Sequence, residues 1–244
     1  MAELGISGHN APGVGAPSGW WRRLAGTRGY DRLLRLAVAL WFLLLAINTV
    51  RNIAQSVAVI AASGPDALAV ARLVSHICLF LFVTLIAGLT LLRARPLAQA
   101  AGLQPRLSAL LGCYLVYGLV FLPPNAQLGV GLHVLSAALL LIGNVLAVFI
   151  LLSLGRSFSI MAESRRLVTD GPYAIIRHPL YLAELIAILG AFIQFASPWA
   201  ALIVLVQVGF QVQRMRNEES VLSLTFPDYA AYKERTARLI PGLW

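Results

Sequence analysis

Residues 129–154 read GVGLHVLSAALLLIGNVLAVFILLSL, an apolar run without a single Asp, Glu, Lys or Arg. A helix crosses the hydrocarbon core of a bilayer with about 20 apolar residues, and this run is longer than that. Similar runs lie on both sides of it, at residues 33–50, 68–92, 107–122, 179–196 and 198–212. The sequence therefore predicts an all-α fold, a polytopic membrane helix bundle of about six apolar segments, of which the last two form a short helical hairpin.

The overall composition agrees with a membrane protein. Of the 244 residues, 59% are hydrophobic and only 12% are charged, whereas soluble domains are about 25% charged. On a soluble protein the formal net charge of +9 would favour nucleic-acid binding. In a membrane protein the same charge lines the cytosolic helix ends, so no nucleic-acid partner is predicted. Cys78 and Cys113 lie inside apolar runs without metal-ligand spacing, so no metal site is predicted.

Basic residues indicate the topology. They occur before the first apolar segment, between the second and third, between the fourth and fifth, and after the sixth. These clusters are Arg22, Arg23, Arg28, Arg32 and Arg35; Arg93, Arg95 and Arg106; Arg156, Arg165, Arg166 and Arg177; and Arg214, Arg216, Lys233, Arg235 and Arg238. The opposite side keeps only Arg51 and Arg72. The positive-inside rule then predicts that both termini lie in the cytosol. We expect an integral membrane protein, located in a bacterial inner membrane.

The acidic residues divide the chain into regions. Seven of the ten Asp and Glu residues lie at or after Glu163, so the polar chemistry is expected in the last third. We therefore predict a disordered or interfacial segment at 1–30, scaffold helices one to four at 31–154, and a catalytic region at 155–244. The last region would contain a connecting segment, the hairpin and a cytosolic helical cap.

A candidate site begins where the fifth segment starts, at Arg177-His178-Pro179-Leu180-Tyr181. Pro179 suits the first helical position, because its missing N–H is not needed there. His178 then falls near the N-cap, and the next two amides stay free to bind a carboxylate or phosphate. The alternative is an ordinary helix start with Arg177 reaching lipid phosphates.

Three glutamates are the other candidates. Glu184 lies one turn beyond Tyr181 within an apolar helix, and an ionisable group at membrane depth is a functional candidate. Pairing with an arginine near the interface is the alternative. Glu218 and Glu219 are adjacent, so on a helix one can enter a site while the other pairs with arginine. A solvated, charged helix start would explain them equally well.

Together these motifs form one pattern over residues 155–244: G-P-Y-x-x-x-R-H-P-x-Y, an apolar hairpin, N-E-E-x-x-L-x-x-x-F, two tyrosines and a terminal I-P. The pattern resembles the isoprenylcysteine carboxyl methyltransferase family, within the wider group of phospholipid methyltransferases. The resemblance implies that S-adenosylmethionine binds without a Rossmann fold, between the membrane helices and a cytosolic cap. It further implies that the methyl group passes to a lipid-like or prenylated acceptor among the membrane lipids.

The resemblance also implies a set of site residues. Those that would bind the cofactor are Leu167, Val168, Tyr173, Arg177, His178, Pro179, Tyr181, Glu218 and Glu219. Where eukaryotic family members carry an Asn-His pair, this chain has Ser157, Phe158 and Ser159. The tail is also one residue shorter than the family's F-G-x-x-Y, at 226–229.

The expected chemistry is an in-line displacement at the sulfonium methyl group. A carboxylate acceptor needs no base. An amine or thiol acceptor would need one, and the candidate bases are Glu184, Glu218 and Glu219. We place Arg177, Glu184 and Glu218 among the catalytic residues and assign Arg156 and Arg214 to an anionic head group of the substrate. Open alternatives are a phospholipid or thiol methyltransferase, an inactive family member, a membrane NADPH-dependent reductase and a transporter.

Overall fold

Seven α-helices account for most of the described chain. A computed structural model describes residues 28–125 and 127–242. The helices are α1 Arg28–Ser63, α2 Ala67–Leu92, α3 Leu103–Tyr114, α4 Val130–Leu154, α5 Pro179–Gln194, α6 Pro198–Thr225 and α7 Tyr229–Arg235. Short 3₁₀ segments follow α3, follow α4 and precede α5, at Leu115–Phe121, Gly155–Ser157 and Gly171–Ala174. Strands β1 Ala98–Gln99 and β2 Glu163–Ser164 pair antiparallel, with Ala98 opposite Ser164.

Within residues 28–125 and 127–242, four helical stretches are long and apolar enough to cross a membrane. They are Arg35–Ser63, Ala67–Leu92, Leu103–Phe121 and Val130–Ser157, and the apolar α5 is shorter. The outer faces of these helices expose large apolar side chains, as Leu40 and Phe149 do at 58% and 57%. Such a surface is stable against lipid tails and unfavourable in water. The prediction of an all-α membrane helix bundle is confirmed.

Helix bounds differ from the sequence prediction at two places. The first helix continues past residue 50 to Ser63, because Arg51 does not break a helix and the first breakers are Gly64 and the proline after it. The last long helix continues past residue 212 to Thr225, because no glycine or proline follows Gly209 before Pro227. The charged stretch 214–219 is therefore the interior of a helix and not a helix start. Of the segment predicted as disordered, residues 1–27 lie outside the described residues, and residues 28–30 belong to α1.

Helices α4 and α5 pack closely through two glycines. A Cβ atom on Gly143 would lie 2.6 Å from the Ala187 nitrogen, and one on Gly190 would lie 2.9 Å from the Leu140 nitrogen. The Ser136 hydroxyl donates a hydrogen bond of 2.7 Å to the Gly190 carbonyl. Small residues and a hydrogen bond of this kind hold helices together where lipid removes the hydrophobic driving force. The position of α5, which carries the candidate site, is fixed in this way.

The predicted hairpin of α5 and α6 has a short turn, and its two helices diverge beyond it. Ser197 caps α6 by accepting a hydrogen bond of 3.1 Å from the Ala200 amide. Beyond the turn, α5 packs mainly against α4, whereas α6 packs mainly against α3. The arms therefore do not pack tightly along their lengths, and the space between them remains open.

The arginine-rich segments of the described chain meet at one end of the bundle. Arg35 donates to the Arg93 carbonyl at 3.0 Å, and the Ala94 amide donates to the Arg156 carbonyl at 3.0 Å. Nearby, the Glu163 carboxylate bridges Arg165 and Arg93. The start of α1 and the ends of α2 and α4 thus form one polar end, as the alternation of the basic clusters predicted.

Candidate functional site

A cavity of about 290 Å³ lies inside the bundle and opens towards this polar end. Its apolar part is lined from α2, α3 and α4, by residues such as Leu79, Cys113 and Leu140. Its polar part is lined by the segment before α5, by α5 and α6, and by Tyr229 and Tyr232 of α7. The volume is at the lower end of the range for small-molecule sites, about 300–1,000 Å³. A polar ligand and an apolar one can therefore meet in one continuous space.

The start of α5 forms part of the polar wall. His178 is the N-cap residue and Pro179 occupies the first helical position, as predicted. Among the described residues, no backbone hydrogen bond uses the amides of Leu180 or Tyr181, while both residues line the cavity. Free amides and the positive end of the helix dipole make this wall a site for an anionic group.

Glu218 stands opposite the start of α5. It lines the cavity, and the Tyr181 hydroxyl donates a hydrogen bond to its carboxylate. The other carboxylate oxygen lies 3.9 Å from His178 Nδ1. A negative carboxylate and a helix N-terminus thus face each other across a short distance.

Glu219 has a different environment, outside the cavity wall. Its carboxylate accepts hydrogen bonds from Arg177 Nε at 2.9 Å, from His178 Nε2 at 3.2 Å, and from Arg238 Nη2 at 2.8 Å. Burial would raise the pKa of the Glu219 carboxyl, but the hydrogen bonds from His178, Arg238 and Arg177 outweigh it and hold that pKa well below its usual range. The side chain is therefore a permanent anion that ties α6 to the chain before α5 and to the C-terminal segment.

The C-terminal segment closes the polar end through further bonds. Arg177 also donates to the carbonyls of Lys233 and Thr236, and its own amide donates to the Ala237 carbonyl at 2.9 Å. The Tyr232 hydroxyl donates to the Tyr173 carbonyl at 2.7 Å. Most hydrogen-bond donors of the Arg177 side chain are thus used by other groups of the protein, although part of the residue lines the cavity.

Arg214 enters the cavity from the middle of α6. Its guanidinium lies 4.8 Å from the centre of the Tyr181 ring, and Nη2 donates to the Ile160 carbonyl at 3.2 Å. Within the part of the chain that the structure describes, its Nε and Nη1 have no hydrogen-bond partner. Gly112 makes room for it, since a Cβ there would lie 2.5 Å from Arg214 Cδ. An arginine with two unused donors inside a cavity is suited to an anionic ligand group.

The structure brings most of the predicted site residues together. Those that line the cavity are Leu167, Val168, Tyr173, Arg177, His178, Tyr181, Glu184, Arg214 and Glu218. Pro179, Glu219 and Arg156 do not line it, and Arg156 instead donates to the Leu92 carbonyl at 3.0 Å.

Among the residues of the cavity wall that sequence reasoning missed, three shape its side along α6. Gln207 and Gln211 line it from α6, and Gly112 does so from α3. The glutamines could have been found from their spacing, because polar residues at 207, 211, 214 and 218 fall on one face of a helix. Gly112 leaves no such signal in the sequence, because its importance depends on the helix opposite.

The part of the chain that carries the polar wall of the cavity is also the part that is similar to known proteins. The sequence profile of the phospholipid methyltransferase family matches residues 132–228, which include α4, the start of α5 and the Glu218 region. Over these residues the chain is similar to the phospholipid methyltransferase family. In the same region of the bundle, Glu218 and the amides of α5 converge on the cavity.

Three curated proteins are similar to parts of this chain. Cobalt-zinc-cadmium resistance protein CzcN of Cupriavidus metallidurans is 35% identical over 84 residues, or 33% of this chain. Nickel-cobalt-cadmium resistance protein NccN of Alcaligenes xylosoxydans xylosoxydans is 35% identical over 82 residues, again 33% of this chain. Protein-S-isoprenylcysteine O-methyltransferase B of Arabidopsis thaliana is 32% identical over 110 residues, or 42% of this chain. The aligned parts span only 38%, 38% and 56% of the lengths of these relatives.

In residues 28–125 and 127–242, no group of three or more His, Cys, Asp or Glu side chains is placed to hold a metal ion.

Proposed function

We propose that this protein transfers a methyl group from S-adenosylmethionine to a lipid-like acceptor at the cytosolic face of the membrane. The observation that carries the proposal is the pairing of Glu218 with the free amides of α5 at the polar end of the cavity. The match of residues 132–228 to the phospholipid methyltransferase profile supports the same reaction.

The residues present fit the amino-acid part of this cofactor. Its carboxylate matches the amides of Leu180 and Tyr181, because a helix N-terminus stabilises negative charge. Its ammonium group matches the carboxylate of Glu218, which carries the opposite charge on the facing wall. His178, only 4% exposed, borders both groups. Tyr229 and Tyr232 offer aromatic faces to an adenine ring on the C-terminal side of the cavity.

When bound, the cofactor supplies a methyl group on a positively charged sulfur. Transfer forms a bond from the acceptor atom to the methyl carbon and breaks the carbon–sulfur bond, which leaves a neutral thioether. The protein contributes positioning and exclusion of water, which are the main sources of rate in such displacements. The walls from α2, α3 and α4 hold the apolar part of the acceptor, and the segment joined by Arg177 and Glu219 closes the polar end.

Arg214 supports an acceptor with an anionic head group. Its two unused donors lie between the polar end and the apolar part of the cavity, where a carboxylate would be held next to Glu218. A carboxylate attacks without losing a proton. For an amine or thiol acceptor, Glu218 or Glu184 would take the proton. Arg156 is bonded to a backbone carbonyl away from the cavity, so we assign the head group to Arg214.

The reaction itself can be tested in membranes. We expect membranes that contain the full chain to incorporate a tritium-labelled methyl group from S-adenosylmethionine into material extracted by organic solvent. Membranes from the same host without the chain are the control for background labelling. Equal labelling in the two preparations, despite correct insertion of the protein, would rule out methyl transfer to a host lipid.

Orientation is a separate prediction from the basic clusters. With the polar end in the cytosol, green fluorescent protein fused to the C-terminus should fluoresce, and alkaline phosphatase fused there should be inactive. A fusion at Gly64, between α1 and α2, should behave in the opposite way. An active phosphatase at the C-terminus would place the cavity mouth outside the cytosol and contradict the proposed face.

A further inference from the structure

A line of polar side chains runs along α6 and into the apolar part of the cavity. Gln207, Gln211, Arg214 and Glu218 follow one another at intervals of four, three and four residues, which places them on one face of the helix. All four line the cavity. The two glutamines lie furthest from the polar end, and Gln211 contacts Glu184 of α5 there.

The two glutamines are held firmly but are only partly satisfied. Each is 1% exposed. Gln207 Nε2 donates to the Gly112 carbonyl, and Gln211 Nε2 donates to Glu184 Oε2 at 3.1 Å. The Oε1 atoms of both glutamines have no hydrogen-bond partner among the described residues. Because the amide nitrogens are fixed by these bonds, the carbonyl oxygens are the groups left for a ligand.

A buried carbonyl oxygen without a donor destabilises a protein, and the effect is stronger where water is excluded. Two such oxygens, four residues apart beside the Glu184 carboxylate, form a cluster of acceptors. A hydrocarbon chain cannot satisfy them, whereas a ligand with an O–H group can. A cationic amine would be attracted by the Glu184 carboxylate but repelled by the Arg214 guanidinium one turn away, and it would have to be desolvated. A neutral hydroxyl satisfies the oxygens without burying a further charge and is the better match.

We propose that Gln207 and Gln211 form a specificity subsite for a hydroxyl group carried part-way along the lipid acceptor. The inference rests on the proposed function, because it locates the reacting head beside Arg214 and Glu218. Gln211 is seven residues from Glu218 and Gln207 is eleven, which corresponds to roughly 10 Å and 16 Å along the helix. From Arg214, which holds the head group, the two glutamines are three and seven residues away, or roughly 5 Å and 10 Å. The acceptor is therefore an anionic lipid with a hydroxyl roughly 5–16 Å from the atom that is methylated.

The test uses two matched probes, dodecanoate and ω-hydroxydodecanoate, which share the carboxylate and differ in one terminal hydroxyl. Binding to the full-length protein in detergent, with S-adenosylhomocysteine present, is measured by isothermal titration. One net hydrogen bond should make the hydroxylated probe bind roughly two- to tenfold tighter. The Gln207→Leu and Gln211→Leu variants should lose this preference and bind dodecanoate at least as well as the wild type.

Gln213→Leu is the matched control, because Gln213 is on the same helix but does not line the cavity and bonds to Asn217. It should keep the preference for the hydroxylated probe. Equal binding of the two probes to the wild type would overturn the subsite, even if both leucine variants failed to fold. Tighter binding of ω-aminododecanoate would overturn the assignment to a hydroxyl. If S-adenosylhomocysteine itself did not bind, the proposed function would be wrong. This outcome is distinct from equal binding of the two probes, which would contradict the subsite alone.

Discussion

Replacing Glu219 with alanine is expected to release the C-terminal segment from the rest of the protein. The substitution leaves Arg177 and Arg238 without their shared carboxylate and His178 without one of its partners. Removing one member of a buried ionic cluster costs about 3–5 kcal/mol, because the remaining charges stay desolvated. The equilibrium for local opening of residues 229–242 should therefore rise by at least about a hundredfold.

Hydrogen exchange and limited trypsin digestion would measure this opening. Amides of α7 should exchange faster in the variant, and cleavage after Lys233 or Arg235 should accelerate, while α4 keeps its protection. Glu234→Ala is the matched control, since it removes an exposed glutamate from α7 itself. Unchanged protection of α7 in the Glu219 variant would show that the ionic cluster does not hold the segment.

Replacing Glu218 with glutamine is expected to weaken cofactor binding without opening the C-terminal segment. A hydrogen bond to a charged group contributes about 1.5–3 kcal/mol, so the dissociation constant for S-adenosylhomocysteine should rise roughly tenfold to a hundredfold. The substitution keeps the size of the side chain and one acceptor for the Tyr181 hydroxyl, so the thermal midpoint should change little.

A second ligand identifies the group that Glu218 contacts. The compound 5′-methylthioadenosine keeps the adenosine but lacks the amino and carboxylate groups. If Glu218 binds the ammonium group, the Glu218→Gln variant should bind this compound as the wild type does. Equal weakening of both ligands would move the contact to the ribose hydroxyls, and no weakening of either would remove Glu218 from the site.

The two glutamates show how a single step along a helix separates two tasks. Their side chains leave α6 about 100° apart, so one reaches the cavity and its neighbour reaches Arg177 and Arg238. Arg177 belongs with Glu219 in this arrangement, because most of its donors are used by the protein. We therefore regard Arg177 as a positioning residue that keeps the start of α5 in place.

Much of the fold could be predicted because the signals are local. An apolar run of sufficient length in lipid has to become a helix, since its backbone groups find partners only within the segment. The start of α5 was predicted for a similar reason, because Pro179 and His178 determine a helix start through their own backbone chemistry. The end of α6 was not predicted correctly, because a change from apolar to charged residues does not end a helix.

The site could be predicted only in part. The motifs indicated which side chains carry polar chemistry, and most of them do line one cavity. The separate roles of Glu218 and Glu219 depend on which neighbours surround α6, and these come from segments as distant as Arg177 and Arg238. The acceptor cluster of Gln207 and Gln211 likewise depends on Gly112 and Glu184, on two other helices.

The sequence by itself determined the membrane class, the helical fold, the sharing of one end by the basic clusters and the start of α5. Each of these properties depends on the local sequence of a short segment and on whether lipid or water surrounds it. The tertiary structure alone decided that α5 and α6 diverge around a cavity, that Glu219 closes the polar end, and that two glutamine carbonyls find no donor in the described part of the chain. These features arise from long-range packing, in which the partner of each group is set by the whole bundle and not by its own segment.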